Sequence, residues 1–103
     1  MKPTGLRTHD EVLAEQLNDP EFRAEWERTQ LAHAVALRLI AYRVEHGLTQ
    51  TALARRVGLT QPAIARLEAG VHEPSLATLS RLARGLGMVF HIDITPDALR
   101  LSA

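Results

Sequence analysis

There is no cysteine among these 103 residues. That excludes a disulfide framework, a thiol redox site and every zinc site built on sulfur. There is no net charge either, since twelve basic residues balance twelve acidic ones. No apolar run is long enough to span a membrane; the longest, residues 31–42, is interrupted by His33 and Arg38. No charged-then-apolar leader opens the chain, so secretion is not expected. The five histidines (9, 33, 46, 72 and 91) form no H-x-x-x-H pair. G-x-S-x-G and a phosphate-binding glycine loop are missing too. Neither an enzyme, a metal site nor a cofactor is expected. What is there is ample for a core: 46% of the residues are hydrophobic. The expectation is one small domain, soluble, in a reducing cytoplasm.

The charge balance is uneven along the chain. Between His9 and Glu27 stand seven acids (Asp10, Glu11, Glu15, Asp19, Glu21, Glu25, Glu27) against Arg23 alone. Between Thr49 and Gly87 stand five arginines (55, 56, 66, 81, 84) against Glu68 and Glu73. An acidic front and a basic middle point to two different partners. Zero charge overall predicts weak non-specific attachment to a polyanion.

Caps and breakers divide the chain. Thr8 can cap a short acidic helix, which Asn18-Asp19-Pro20 stops before starting the next. Helical periodicity then lasts to His46, with Phe22, Trp26, His33, Leu37, Ile40 and Val44 at three- and four-residue steps. Thr29 is able to cap a restart, so one long helix or two shorter ones both fit. Gly47 ends the pattern. Thr49, Thr60 and Ser75 then cap three short helices, closed by Gly58, Gly70 and Gly87. From Met88 to Ile94 the period drops to two, with Met88, Phe90, Ile92 and Ile94 on one face, which predicts a strand, and the chain offers no second candidate.

Residues 50–69 form one unit in which two short helices meet through a three-residue turn. Leu53, Val57, Leu59, Ile64 and Leu67 point inward, Ala54 allows close approach, and Gly58 takes the positive φ of the turn. That is the pattern of a helix-turn-helix. The run L-T-Q-T-A-L-A-R-R-V-G-L-T-Q-P-A-I-A-R-L-E-A-G, followed by P-S-L-A-T-L-S-R-L-A-R-G-L-G, resembles the Cro/repressor (XRE) type of this motif over roughly residues 40–87. The preceding N-D-P-E-F-R-A-E-W-E and the trailing strand resemble a narrower group, the HigA-type antitoxins. The resemblance implies an all-α, five-helix, lambda-repressor-like domain over residues 29–87, with an acidic helical extension (1–28) and a C-terminal strand and tail (88–103). It implies operator binding and neutralisation of a RelE/HigB-like toxin that cleaves messenger RNA. A free-standing prophage- or plasmid-type regulator without a toxin is the alternative, and a motif that has become a protein-binding module is a third.

In phage repressors of this type the first motif glutamine, here Gln50, holds a phosphate, and the second, here Gln61, reads a base. A helical wheel independently places Ile64, Leu67 and Glu68 inward and Pro62, Ala65, Arg66 and Ala69 outward, with Gln61 at the tip. Glutamine pairs with adenine and arginine with guanine in a major groove. Thr49, Thr60, Ser75 and His72 are the remaining candidates for contact with phosphates. An arginine seven residues before the first glutamine, here Arg43, pairs in the same repressors with a recognition-helix glutamate, here Glu68.

At the C-terminal end, a lone strand cannot satisfy its own backbone. A two-fold homodimer is expected, joined through Met88, Phe90, Ile92 and Ile94, whose apolar faces cover the helix that starts at Ser75. Pairing with a toxin, or with the first residues of the chain, is the alternative. At the N-terminal end, Phe22 and Trp26 share a face and are able to anchor a basic toxin, or simply to close the core. The acids around them equally suit a solvated face.

Overall fold

The computed structural model describes residues 8–102. The suggested pairing of the strand with the first residues of the chain lies outside them. Helix α1 spans His9–Gln16, and the Thr8 hydroxyl accepts from the Glu11 N–H at 3.1 Å. Helix α2 spans Pro20–Glu45, with the Asp19 carboxylate accepting from the Glu21 N–H at 2.9 Å. It is one unbroken helix of 26 residues. Thr29 does not restart it: its hydroxyl bonds back to the carbonyls of Glu25 and Trp26 at 3.2 and 3.1 Å, so the ladder continues past it.

Helices α3 (Gln50–Val57), α4 (Gln61–Ala69) and α5 (Leu76–Leu86) have the bounds that the caps predict. In each, the capping hydroxyl of Thr49, Thr60 or Ser75 accepts the backbone N–H three residues on. Gly58 turns the chain from α3 to α4 at φ +70°. The core gathers Leu31, Val35 and Leu39 from α2, Leu53, Ala54 and Val57 from α3, Ile64 from α4, and Leu79, Leu82 and Leu86 from α5. α1 buries nothing.

The α2 stripe singled out by periodicity is therefore not the one that enters the core. Leu37 and Val44, two members of that stripe, are 69% and 72% exposed. The helix has two apolar faces, and spacing alone cannot tell which of them the other helices cover. The one they cover is Leu31, Val35 and Leu39 at four-residue steps.

The C-terminal segment also departs from expectation. Strand β1 is only Ile92–Ile94, and it pairs antiparallel with a second strand, β2 (Leu99–Leu101), in the register Ile92 with Leu101, Asp93 with Arg100 and Ile94 with Leu99. The backbone of the strand is thus met inside the chain, which removes the argument that a lone strand needs a second copy. The turn is closed by Thr95, whose N–H donates to the Ala98 carbonyl at 2.9 Å and whose hydroxyl accepts from the Ala98 N–H at 3.1 Å. Residues 88–90 are not part of the ladder, and His91 joins it only through its carbonyl, which accepts from the Ser102 N–H at 2.7 Å. The Val89 carbonyl accepts from Arg38 Nη1 at 2.8 Å, and the Arg38 guanidinium lies over the Phe90 ring, 4.7 Å from its centre.

The hairpin lies along α2, not on α5 as expected. Met88, Phe90, Ile92, Leu99 and Leu101 pack there against the core, and Arg100 pairs with Glu27. That hydrogen bond and the carboxylate's charge hold the Arg100 guanidinium above its ordinary range, against a smaller opposing effect of desolvation. Among the described residues no helix is long and apolar enough to cross a membrane.

Candidate nucleic-acid interface

α4 stands on α2 and α3 with its first turn free. Ile64 is fully buried beneath it, while Gln61, Pro62, Arg66 and Ala69 are exposed, as the wheel predicts. Ala65 is half-buried, so it lies nearer the packed side than expected. Gly70 ends the helix against α2, where a β-carbon would meet the His33 ring at 3.1 Å and the Ala36 methyl at 3.3 Å.

A chain of polar contacts fixes the orientation of α4. Arg43 grips Glu68 with both arms of its guanidinium, Nε to Oε2 at 3.0 Å and Nη2 to Oε1 at 2.9 Å. The Glu68 side chain is only 6% exposed and that of Arg43 26%. A bidentate pair of this kind sets angle as well as distance. The hydrogen bond to Glu68 raises the Arg43 pKa above its ordinary value, desolvation opposes it, and the carboxylate's charge raises it further. Arg43 Nη1 also reaches the Leu48 carbonyl at 3.4 Å, tying the loop before α3 to the same point.

The chain then runs outward. Gln50 Nε2 donates to Glu68 Oε1 at 3.4 Å, and Gln61 Nε2 donates to Gln50 Oε1 at 2.8 Å. One hydrogen of the exposed Gln61 amide is thereby held, leaving its second N–H and its carbonyl, a donor and an acceptor, without a partner among the described residues. The resemblance implies a phosphate contact for Gln50, which the structure, without DNA, does not test. Here its amide joins the buried carboxylate to Gln61, a bridge for which residue spacing gives no signal. Arg81 was missed as well. It donates to the Gly58 carbonyl at 2.7 Å and braces the turn between α3 and α4 from the α5 side.

The other sequence candidates are placed as follows. Thr49, Thr60 and Ser75 stand at the N-termini of α3, α4 and α5, where unpaired backbone N–H groups favour an anion. Ser75 spends its own hydroxyl hydrogen on Thr78 Oγ1 at 3.0 Å. His72 is exposed in the loop before α5. Met88, Phe90 and Ile92 are half-buried within their own chain, whereas Ile94 is 77% exposed. Phe22 and Trp26 are both half-buried, their rings stacked with centres 6.5 Å apart, and Trp26 tilts against His33 at 5.8 Å. Among the described residues no histidine–carboxylate group is arranged to hold a metal.

Comparisons with known proteins agree with this geometry. The HTH_3 helix-turn-helix family matches residues 39–89. An HTH-type transcriptional regulator of Methanothermobacter thermautotrophicus is 52% identical over 46 residues, covering 45% of this chain and 67% of that protein. The antitoxin HigA1 of Mycobacterium tuberculosis is 33% identical over 82 residues, covering 80% of this chain. The chain spans about half the length of HigA1, 55% of it. Among solved structures, an HTH_3 family transcriptional regulator from Vibrio cholerae superposes with a TM-score of 0.55 at 28% identity, over 59% of this chain and 34% of that one.

Proposed function

The chain belongs to the HTH_3 helix-turn-helix family, and from that premise we propose that it is a sequence-specific transcriptional repressor serving as the antitoxin of a toxin–antitoxin pair. The observation that carries the DNA-reading half is Gln61, exposed at the start of α4 and oriented by Gln50, with exposed Arg66 further along the helix. Such a helix enters a major groove tip first. The amide suits the edge of adenine and the guanidinium that of guanine. Phosphates on either side meet the N-termini of α3, α4 and α5, near Thr49, Thr60, Ser75 and His72. Pro62 and Ala69, short or without a donor, let the helix sit deep.

The antitoxin half rests on the length of the likeness to HigA1. At 82 residues that match runs some thirty residues beyond the 51 of the helix-turn-helix, so it takes in flanking sequence. The acids of α1 and the start of α2 suit a basic protein, such as an RNA-cleaving toxin of the RelE/HigB kind, with Phe22 and Trp26 as apolar anchors. Few charges are offered to phosphate by one copy, so two copies on a two-fold operator are part of this reading. It places the protein in the cytoplasm and gives it no catalytic role.

Two measurements test it. A gel shift on the DNA upstream of the gene should show specific retardation. Replacing Gln61 and Arg66 together by Ala should reduce discrimination against a scrambled site by about 100-fold or more, at about 1–3 kcal/mol for each contact. Undiminished discrimination would end the DNA reading. Co-expression with the neighbouring frame should yield a stable complex and relieve any growth arrest that frame causes. If specific DNA binding holds and no such partner exists, the chain is a free-standing regulator.

A further inference from the structure

Leu37, Ala41 and Val44 follow one another at four- and three-residue steps on α2, and nothing among the described residues covers them. Val89, itself 64% exposed, borders the same region across a shallow groove of about 420 Å³ lined by Arg38, Ala41, Glu45 and Met88 among others. Isolated surface leucines need no explanation, but a row at helical spacing does. The charges beside the row come in opposites. Arg38 and Glu45 are seven residues apart, hence on one side of α2, and the small Ala41 stands midway.

We propose that a second copy of this chain covers this face, with its α2 laid antiparallel across the first. About a two-fold axis close to Ala41, Leu37 of each copy meets Val44 of the other, and Arg38 of each meets Glu45 of the other. In a parallel pair the two-fold would run along the helix axes and carry the partner's Arg38 and Glu45 to the far side of the contact, where these charges would not meet. In an isologous contact every pair occurs twice, and the Arg38 and Glu45 charges of one copy are complementary to those of a second copy placed this way. Ala41 at the crossing lets the helix axes approach to roughly 8–10 Å. The inference deepens the proposed function by naming where two copies meet. It rests on that reading only for the use of the pair, since association is measurable without DNA.

Sedimentation equilibrium of the full chain, without DNA, should show a dimer across the micromolar range. Leu37→Asp combined with Val44→Asp changes two exposed positions, so far-UV circular dichroism should stay the same while the dimer weakens by about 100-fold or more. A wild type that stays monomeric overturns the proposal, and so does a double variant that associates as the wild type does. Because the chain has no cysteine, Ala41→Cys gives a second test. Mild oxidation should link two such chains faster than two Leu76→Cys chains, whose substitution lies at a 78% exposed position on α5. Equal rates count against the crossing. If the double variant instead loses only a co-expressed partner, the face belongs to that protein and the second-copy assignment falls. Specific binding of half an operator by the double variant would show that the DNA reading stands whatever the fate of the interface.

Discussion

A β-carbon at Gly85 would stand 2.8 Å from both the Arg56 carbonyl oxygen and Val57 Cγ1, and 3.0 Å from Val57 Cα. Alanine would favour helix α5 by up to about 1 kcal/mol. Overpacking against the backbone of α3 costs about 1–3 kcal/mol. Gly85→Ala should therefore lower the urea midpoint, and a midpoint at or above the wild-type value would show that α3 yields. Gly47 is the contrasting case. Its φ is +63° but nothing lies within 4 Å of the added carbon, so Gly47→Ala bears only the left-handed penalty of about 1–2 kcal/mol. Arg43 and Glu68 pose a different single-residue question. Arg43→Ala strands a carboxylate that is almost wholly covered, with only the long contact to Gln50 left. Adding Glu68→Ala removes the stranded charge. The double variant should melt above the Arg43→Ala single variant, and a double variant that melts lower would mean that Glu68 is easily hydrated.

Elements whose ends carry a chemical signal were legible in the sequence. Thr8, Thr49, Thr60 and Ser75 each cap the helix expected of them, because a side-chain acceptor beside free N–H groups acts locally, and Asp19, within the stretch expected to start α2, caps that helix. The Arg43–Glu68 pair was legible through resemblance, and the structure brings its atoms together. Selection among tertiary alternatives was not legible. Two apolar faces on α2 look alike in sequence, and only packing distinguishes Leu31–Val35–Leu39 from Leu37–Val44. Strand β2 was missed because Leu99-Arg100-Leu101 gives a single alternation, too short to register as a period. Its stability comes from contact: Leu99 and Leu101 pack against the core, and Arg100 pairs with Glu27 of α2. Cutting the chain after Thr95 should thus cost about 2 kcal/mol, half the transfer energy of two leucines. DNA binding by α4 should persist. An unchanged denaturation midpoint would show that the hairpin merely rests on α2.

Net charge is a poor guide for a molecule of this shape. Its extents are 50 × 33 × 23 Å, and α2 joins an acidic end to the end where Arg43 holds α4. Glu25 and Arg43 are eighteen residues apart on one straight element, roughly 27 Å at 1.5 Å per residue. Salt at 0.1 M screens charges beyond about 10 Å, whereas at 0.01 M the reach is about 30 Å. At ordinary ionic strength, then, a duplex against α4 should respond to Arg66 and the helix N-termini and scarcely at all to the distant carboxylates. Changing Asp10, Glu11, Glu15, Glu21 and Glu25 to their amides should leave operator affinity at 0.1 M within about two-fold, since charges more than a screening length away contribute little. At 0.01 M the same chain should bind any duplex several-fold more tightly than the wild type, through loss of a long-range repulsion. Titrations at the two salt concentrations check both halves. A large effect at 0.1 M would mean that the acidic end folds back or reaches the DNA, contrary to the rigid separation that an unbroken α2 imposes.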